Sequence, residues 1–126
     1  MNISRNFLLI GSIYILIGMI LGSYMGGSGD RTLAPLHAHM NLLGFVLSVI
    51  FALVYRSYPA MAENGLARPH FWLHQSGTLL LLIFLYLVLS KTIAEDSPVV
   101  LLAPVAEGLI IIGTALFAWN VYRNAN

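Results

Sequence analysis

Four histidines carry most of the chemical information in this chain, because they lie in segments with almost no charge. His37 and His39 open one long apolar run, and His70 and His74 lie near the start of another. An imidazole is costly to place in hydrocarbon without a partner, so an ionisable residue in a membrane segment indicates a functional site. Imidazole is also the commonest side-chain metal ligand. We therefore expect a metal to be the partner.

His37 begins a polar stripe along its apolar run. Small and polar residues follow it at i+4, i+7 and i+11, on one face of an α-helix: Asn41, Gly44 and Ser48. His39 lies about 200° around a regular helix from His37. The two imidazoles can therefore share a metal only if the backbone near Pro35 is not helical. Otherwise His39 faces a second site or a neighbouring subunit. We expect His37 to be a ligand in preference to His39, with Asn41 beside the cofactor and Met40 as a further candidate ligand.

His70 and His74 are one helical turn apart and follow Pro69, a favourable first residue of a helix. This spacing can place two imidazoles on one metal, although no carboxylate accompanies them. The alternative is a pair of interfacial histidines that meet phospholipid headgroups. Helix rise places His37 and His74 roughly 15–20 Å apart across the membrane. The two are therefore not expected to bind the same iron within one protomer. A six-coordinate iron needs a second protomer, a bent segment that faces the haem, or a methionine.

Glu107 is the one carboxylate within an apolar run, about a third of the way from the outer surface. It could accept a hydrogen bond from a ligand imidazole, bind the metal directly, or relay protons. The structural alternative is a neutral acid that is hydrogen-bonded to Asn41 or Ser48.

Composition defines the elements that must position these residues. The chain has 126 residues, of which 59% are hydrophobic and 9% charged, so we assign it to the membrane class. Apolar runs near 7–25, 34–55, 70–90 and 99–122 are each long enough to span a bilayer. The sequence thus predicts an all-α, four-helix transmembrane bundle that forms a single domain over residues 1–126.

The basic residues predict the orientation of the bundle. Four of the six Lys and Arg residues lie on the side of the N-terminus: Arg5, Arg56, Arg68 and Arg123. Both termini should therefore be cytoplasmic, in a multi-pass protein of a bacterial-type inner membrane. Tyrosine and tryptophan near the helix ends are typical of an aromatic belt at the lipid interface: Tyr24, Tyr55, Tyr58, Trp72, Trp119 and Tyr122.

The same composition excludes several function classes. Cysteine is absent, which excludes disulfides, thiolate zinc sites, iron–sulfur clusters and covalently attached c-type haem. A net charge of +1 gives no basic surface for nucleic acid. Any metal must therefore be held by histidine, methionine, carboxylate or backbone groups.

Small residues on the first apolar run predict a close helix contact. Gly18, Gly22 and Gly26 recur at intervals of four. The stripe could serve packing within the chain, a subunit interface, or the approach of a flat macrocycle. Four short helices leave little room for a porphyrin, so we expect a homo-oligomer, a dimer or a trimer.

Two segments resemble the catalytic subunit of haem–copper oxidases and nitric-oxide reductases. The run Leu33–Asn41 is similar to the start of the family's second helix, where Pro-Leu-His supplies a low-spin haem ligand. The run Ala67–Gln75 resembles the opening of its third helix, and His37–Met40 also resembles the His-Ala-His opening of NnrS-type haem membrane proteins. The resemblance implies a stand-alone block of the first four helices, with His37 as a haem ligand. The family's other haem and copper ligands lie on later helices.

These observations predict a haem b-binding membrane protein that acts in electron transfer or in gas or haem handling, with a redox partner protein. Oxygen or nitric-oxide reduction by this chain alone is not expected. Two alternatives stay open. The chain could handle copper or another transition metal, since His37, His39 and Met40 offer imidazole and thioether ligands. It could also be a non-catalytic accessory subunit of a respiratory complex.

Overall fold

Four long helices make up the chain. The computed structural model describes residues 1–94 and 96–125, and no β-strand occurs in that part of the chain. The helices long and apolar enough to cross a membrane are Ile3–Ser28, Ala34–Ser57, Ala67–Leu89 and Pro98–Asn124, called here the first to fourth helices. The prediction of an all-α chain with four apolar helices is confirmed.

Local capping sets the limits of the first helix, which is longer than its apolar run. Asn2 accepts a hydrogen bond from the Arg5 amide at 2.9 Å and so caps the N-terminus. Gly29 ends the helix in the left-handed conformation, with φ of 74°, and its amide bonds to the Met25 carbonyl. Glycine adopts this conformation without the steric penalty of a side chain.

The second helix departs from regular α-helical geometry in its middle. Residues Met40–Leu47 form a π-helix between the α-helical segments Ala34–His39 and Ser48–Ser57. The wider turn carries Gly44 into direct contact with the first helix, where an added Cβ would lie 2.6 Å from Cγ of Tyr14. π-Helical turns within α-helices are rare and frequently occur at functional sites. The regular helix expected from the sequence is thus wrong between residues 40 and 47.

A short helix, Pro59–Glu63, joins the second helix to the third and is fastened by amide side chains. Asn120 of the fourth helix is fully buried there and donates to the Met61 carbonyl at 2.9 Å. Its own carbonyl oxygen accepts from Asn64 at 2.7 Å and from Asn124 at 2.9 Å. These bonds tie the connection between two helices to the end of a third.

Glycines bring the third and fourth helices into close contact. A Cβ at Gly77 would lie 2.9 Å from the Ala106 carbonyl, and one at Gly113 would lie 3.3 Å from the His74 amide nitrogen. Helices in lipid gain little from the hydrophobic effect, so close packing between small residues supplies much of their association energy. The outward faces remain apolar and exposed, as at Leu101 and Ile111, which suits contact with lipid.

The two ends of the bundle are packed differently. The end that holds both termini has the larger core: Ile3, Phe7, Phe51, Ala52, Tyr55, Met61, Ala67 and Phe71. The opposite end has a smaller core: Tyr14, Leu36, Met40 and Leu82. Only the inward face of the fourth helix is buried, at Ala106, Gly113 and Asn120. The bundle is therefore tight at the end with the termini and looser at the other, and we call these the terminal end and the loop end.

Candidate functional site

His37 lies at the loop end, half-buried against the first helix. Its Nδ1 donates to the Gly18 carbonyl at 2.9 Å, and its Nε2 lies 3.0 Å from the amide nitrogen of Asn41. A carbonyl can only accept a hydrogen bond, so Nδ1 carries the proton and Nε2 accepts from Asn41. Both nitrogens of the expected ligand are therefore engaged by protein groups.

The glycine stripe of the first helix receives these two side chains. A Cβ at Gly18 would overlap Oδ1 of Asn41, and one at Gly22 would lie 3.0 Å from Cε1 of His37. At Gly26 an added Cβ would meet nothing within 4 Å. Of the three roles open to the stripe, the structure shows packing within the chain at Gly18 and Gly22.

His39 lies on a different face of the same helix, because Ala34–His39 is α-helical. Its side chain is exposed, and its Nδ1 donates to the Pro35 carbonyl at 2.8 Å. This bond fixes the proton on Nδ1 and leaves the lone pair on Nε2. The helical backbone also separates the two imidazoles, so His37 and His39 do not share a site within the chain.

A lateral groove of about 510 Å³ runs beside His39 at the loop end. The second, third and fourth helices line it with ten residues: Ala38, His39, Leu42, Leu43, Leu81, Phe84, Leu85, Glu107, Ile110 and Ile111. Its walls are apolar apart from one imidazole and one carboxylate. We call this groove the His39 groove.

Glu107 lines the His39 groove and is exposed. The expected alternative, a neutral acid hydrogen-bonded to Asn41 or Ser48, is wrong, because Glu107 lies in this groove and bonds to neither side chain. Asn41 bonds to His37, and the Ser48 hydroxyl accepts from Gln75 at 3.2 Å. The structure thus brings Glu107 to the same groove as His39 rather than to the polar stripe of the second helix.

Met40 points to another side of the bundle. It is largely buried among Tyr14, Leu36 and Leu82 and lines a separate apolar groove between the first and third helices. The imidazole and thioether set proposed from His37, His39 and Met40 is therefore divided among three faces of one helix.

His70 and His74 lie inside the bundle and are both 0% exposed. The interpretation as interfacial histidines that meet lipid headgroups is therefore wrong. The rings of Phe7 and Phe51 pack against both imidazoles, with centroids 4.5–6.0 Å away. Gly77 and Gly113 allow the fourth helix to approach closely, and this approach covers the pair on its remaining side.

Each of these two imidazoles has one nitrogen in a hydrogen bond. Nδ1 of His70 lies 2.9 Å from the Tyr55 hydroxyl, and Nε2 of His74 donates to the Leu43 carbonyl at 3.1 Å. The other two nitrogens, His70 Nε2 and His74 Nδ1, are buried and have no hydrogen-bond partner. Oε1 of Gln75 and Oγ1 of Thr78 are likewise buried and have no hydrogen-bond partner. Such unpartnered buried atoms are uncommon in proteins.

Sequence reasoning missed Tyr55, which it assigned to the aromatic belt. The structure buries this side chain to 1% exposure. A signal was present: the second and third helices form a hairpin, and residues 55 and 70 lie equally far from its middle. Residues so placed on antiparallel helices are at the same depth, and a phenol there is a natural hydrogen-bond partner for a buried imidazole.

No group of three or more His, Asp or Glu side chains that could hold a metal ion occurs in residues 1–94 and 96–125. Comparison with protein-family models, with curated proteins and with solved structures gave no match. Function is therefore inferred from the geometry of the two histidine pairs.

Proposed function

We propose that this chain is a haem b-binding integral membrane protein that acts in electron transfer or in gas or haem handling. The observation that carries the proposal is the state of His39. An imidazole is exposed in an apolar segment, its Nδ1 is fixed by a carbonyl, and its Nε2 is left for a ligand. Metal-binding histidines nearly always donate their second nitrogen to an oxygen in this way.

The His39 groove fits a haem in size and in chemistry. Its volume of about 510 Å³ lies within the usual range of cofactor pockets. Leucine, isoleucine and phenylalanine side chains on three helices provide apolar walls for a porphyrin face. His39 would supply the axial nitrogen, and haem iron held by histidine is common in electron carriers and gas-binding proteins.

The proposal replaces His37 by His39 as the ligand. The family resemblance favours His37, but both of its nitrogens are engaged by Gly18 and Asn41. Iron could bind His37 at Nε2 only after the Asn41 contact is broken. His39 needs no such rearrangement.

Glu107 supplies the second polar group in the groove. A carboxylate that faces hydrocarbon is costly unless it is neutral or covered. A bound cofactor or a second copy of the chain would cover it. We propose that Glu107 exchanges protons at the edge of the site or accepts a hydrogen bond there.

A single chain offers one axial ligand in this groove, so a six-coordinate iron needs a ligand from another copy. We therefore propose a homo-oligomer, a dimer or a trimer, whose cofactor lies near a subunit interface. A redox partner protein would exchange electrons with it. If the sixth position stays open, the haem would bind small gases instead.

The orientation of the chain in the membrane is also part of the proposal. We infer a multi-pass protein of a bacterial-type inner membrane with both termini in the cytoplasm, because four of six basic residues lie at the terminal end. At each terminus, a fused reporter that works only in the cytoplasm should be active, and one that works only outside should be inactive. A reporter active on the outer side at either terminus would contradict the orientation.

Absorption spectroscopy of the purified protein tests the function. A Soret band that sharpens on reduction with dithionite is expected, and the reduced α and β bands distinguish low-spin from high-spin iron. The matched control is the same preparation from cells with the His39→Ala variant. A colourless wild-type protein purified from haem-replete cells would contradict the proposal.

A further inference from the structure

We propose that His70 and His74 together bind one Cu(I) ion in the interior of the bundle. The proposal concerns a different pair of histidines from the haem ligand and does not depend on the His39 groove. It begins from the two buried nitrogens that have no hydrogen-bond partner, His70 Nε2 and His74 Nδ1.

The hydrogen bonds of the pair follow the pattern of metal-bound imidazoles. His74 donates from Nε2 to the Leu43 carbonyl, which leaves the lone pair on Nδ1. His70 can donate from Nδ1 to the oxygen of Tyr55, which leaves the lone pair on Nε2. The carbonyl fixes the tautomer of His74, and the Tyr55 hydroxyl is compatible with the same arrangement in His70, so each ring can offer one nitrogen to a cation.

The distance between the rings indicates the coordination number. An imidazole nitrogen lies about 1.1 Å from the ring centre and metal–imidazole bonds are about 2.0–2.1 Å, so two imidazoles on one ion can have centres up to roughly 6.3 Å apart. The ring centres of His70 and His74 are 6.1 Å apart. At this separation the pair can share one ion only with the two free nitrogens facing each other on opposite sides of it.

A linear, two-coordinate site selects the ion. Zn²⁺ normally takes four ligands, and among the described residues no third His, Asp or Glu joins the pair. A monovalent ion also costs less to bury than a divalent one, because the solvation energy grows with the square of the charge. Imidazole is a good ligand for copper, and Cu(I) accepts two nitrogen ligands in a line.

The surroundings suit a buried monovalent cation. Oε1 of Gln75 and Oγ1 of Thr78 are buried, unpartnered oxygen atoms on the same helix, and their dipoles can stabilise positive charge. Phe7 and Phe51 pack against both imidazoles. Their rings keep water and competing ligands away from the ion.

Competition titration tests the site. The detergent-solubilised protein is titrated with Cu(I) under anaerobic, reducing conditions against a chromophoric Cu(I) chelator. We expect one Cu(I) per chain, and X-ray absorption should show two nitrogen neighbours. The His70→Leu and His74→Leu variants should bind at least 100-fold more weakly. Failure of the wild type to compete for Cu(I), or a shell of three or four ligands, would overturn the proposal.

Two further variants separate this site from folding and from haem. Tyr55→Phe keeps the shape of the core but removes the oxygen beside His70, and it should weaken Cu(I) binding about tenfold or more. His39→Ala should leave Cu(I) binding unchanged even though it removes the proposed haem ligand. Two outcomes would show that the copper lies elsewhere. One is an unchanged Cu(I) affinity in both the Tyr55→Phe and the His74→Leu variants, and the other is a loss of Cu(I) binding in His39→Ala.

Discussion

The two ends of the bundle hold their histidines in opposite ways. Towards the terminal end, His70 and His74 are sealed by aromatic rings and a close helix contact. At the loop end, His39 is exposed beside a groove, and only His37 is packed. The same residue type is therefore part of the core in one region and open to a large ligand in the other.

This difference follows from the neighbours of each pair. Glycines at 77 and 113 let the fourth helix close over the pair on the third helix. At the loop end, Glu107 and bulky isoleucines face the second helix across the His39 groove. Small residues thus close the bundle near His74, and large or ionisable residues keep it open near His39. We propose the open groove as the haem site and the closed pair as the site for an ion.

The largest effect should come from Gly18→Leu, which tests whether the His37 side of the loop end is closed. The new side chain would collide with Asn41, and overpacking of this kind costs about 3 kcal/mol. Thermal unfolding in mild detergent measures the loss. Gly26→Leu is the matched control and should unfold like the wild type, because its Cβ meets nothing. A stable Gly18→Leu protein with a lower oligomer mass would instead place the stripe at a subunit interface.

Those features of the fold that depend on one physical constraint were predictable from the sequence. Span length and apolar composition are enough to place four helices, and the turn angle of a helix separates His37 from His39. The π-helix of Met40–Leu47 was not predictable. It differs from an α-helix only in that each hydrogen bond spans five residues instead of four. No residue type in that segment requires π-helical hydrogen bonding.

The burial of the second histidine pair was not predictable for a different reason. The third helix is apolar on most of its faces, so periodicity does not show which face is inward. Tyr55 lies at a depth shared by the aromatic belt and by the inside of the bundle. Depth follows from position in the chain, but the direction of a side chain depends on contacts between helices.

A smaller loss is expected from Asn120→Ala at the terminal end. The change removes the donor to the buried Met61 carbonyl and the acceptor that the Asn64 and Asn124 amides share. A typical hydrogen bond contributes about 1 kcal/mol, so loss of these bonds should lower the free energy of unfolding by about 2 kcal/mol. Asn124→Ala removes only one terminal contact and should cost under about 0.5 kcal/mol. An equal loss of free energy of unfolding in the two variants would show that the hydrogen bonds of Asn120 do not stabilise the terminal end.

Tyr55→Phe should lower the stability less than Asn120→Ala does. It removes one buried hydroxyl while the ring keeps its packing, and a typical hydrogen bond contributes about 1 kcal/mol. Chemical unfolding in detergent measures the difference, with Tyr122→Phe as the exposed control. No loss in Tyr55→Phe would indicate that the hydroxyl does not hold His70.

Haem content of paired variants tests the central claim most directly, namely that the open histidine and not the packed one binds the cofactor. Wild type, His37→Ala and His39→Ala are purified from the same haem-replete cells, and haem per chain is measured as the pyridine haemochrome. We predict that His39→Ala loses at least 90% of its haem and that His37→Ala, once normalised for folded protein, keeps most of it. Full haem in His39→Ala together with its loss in His37→Ala would contradict the account.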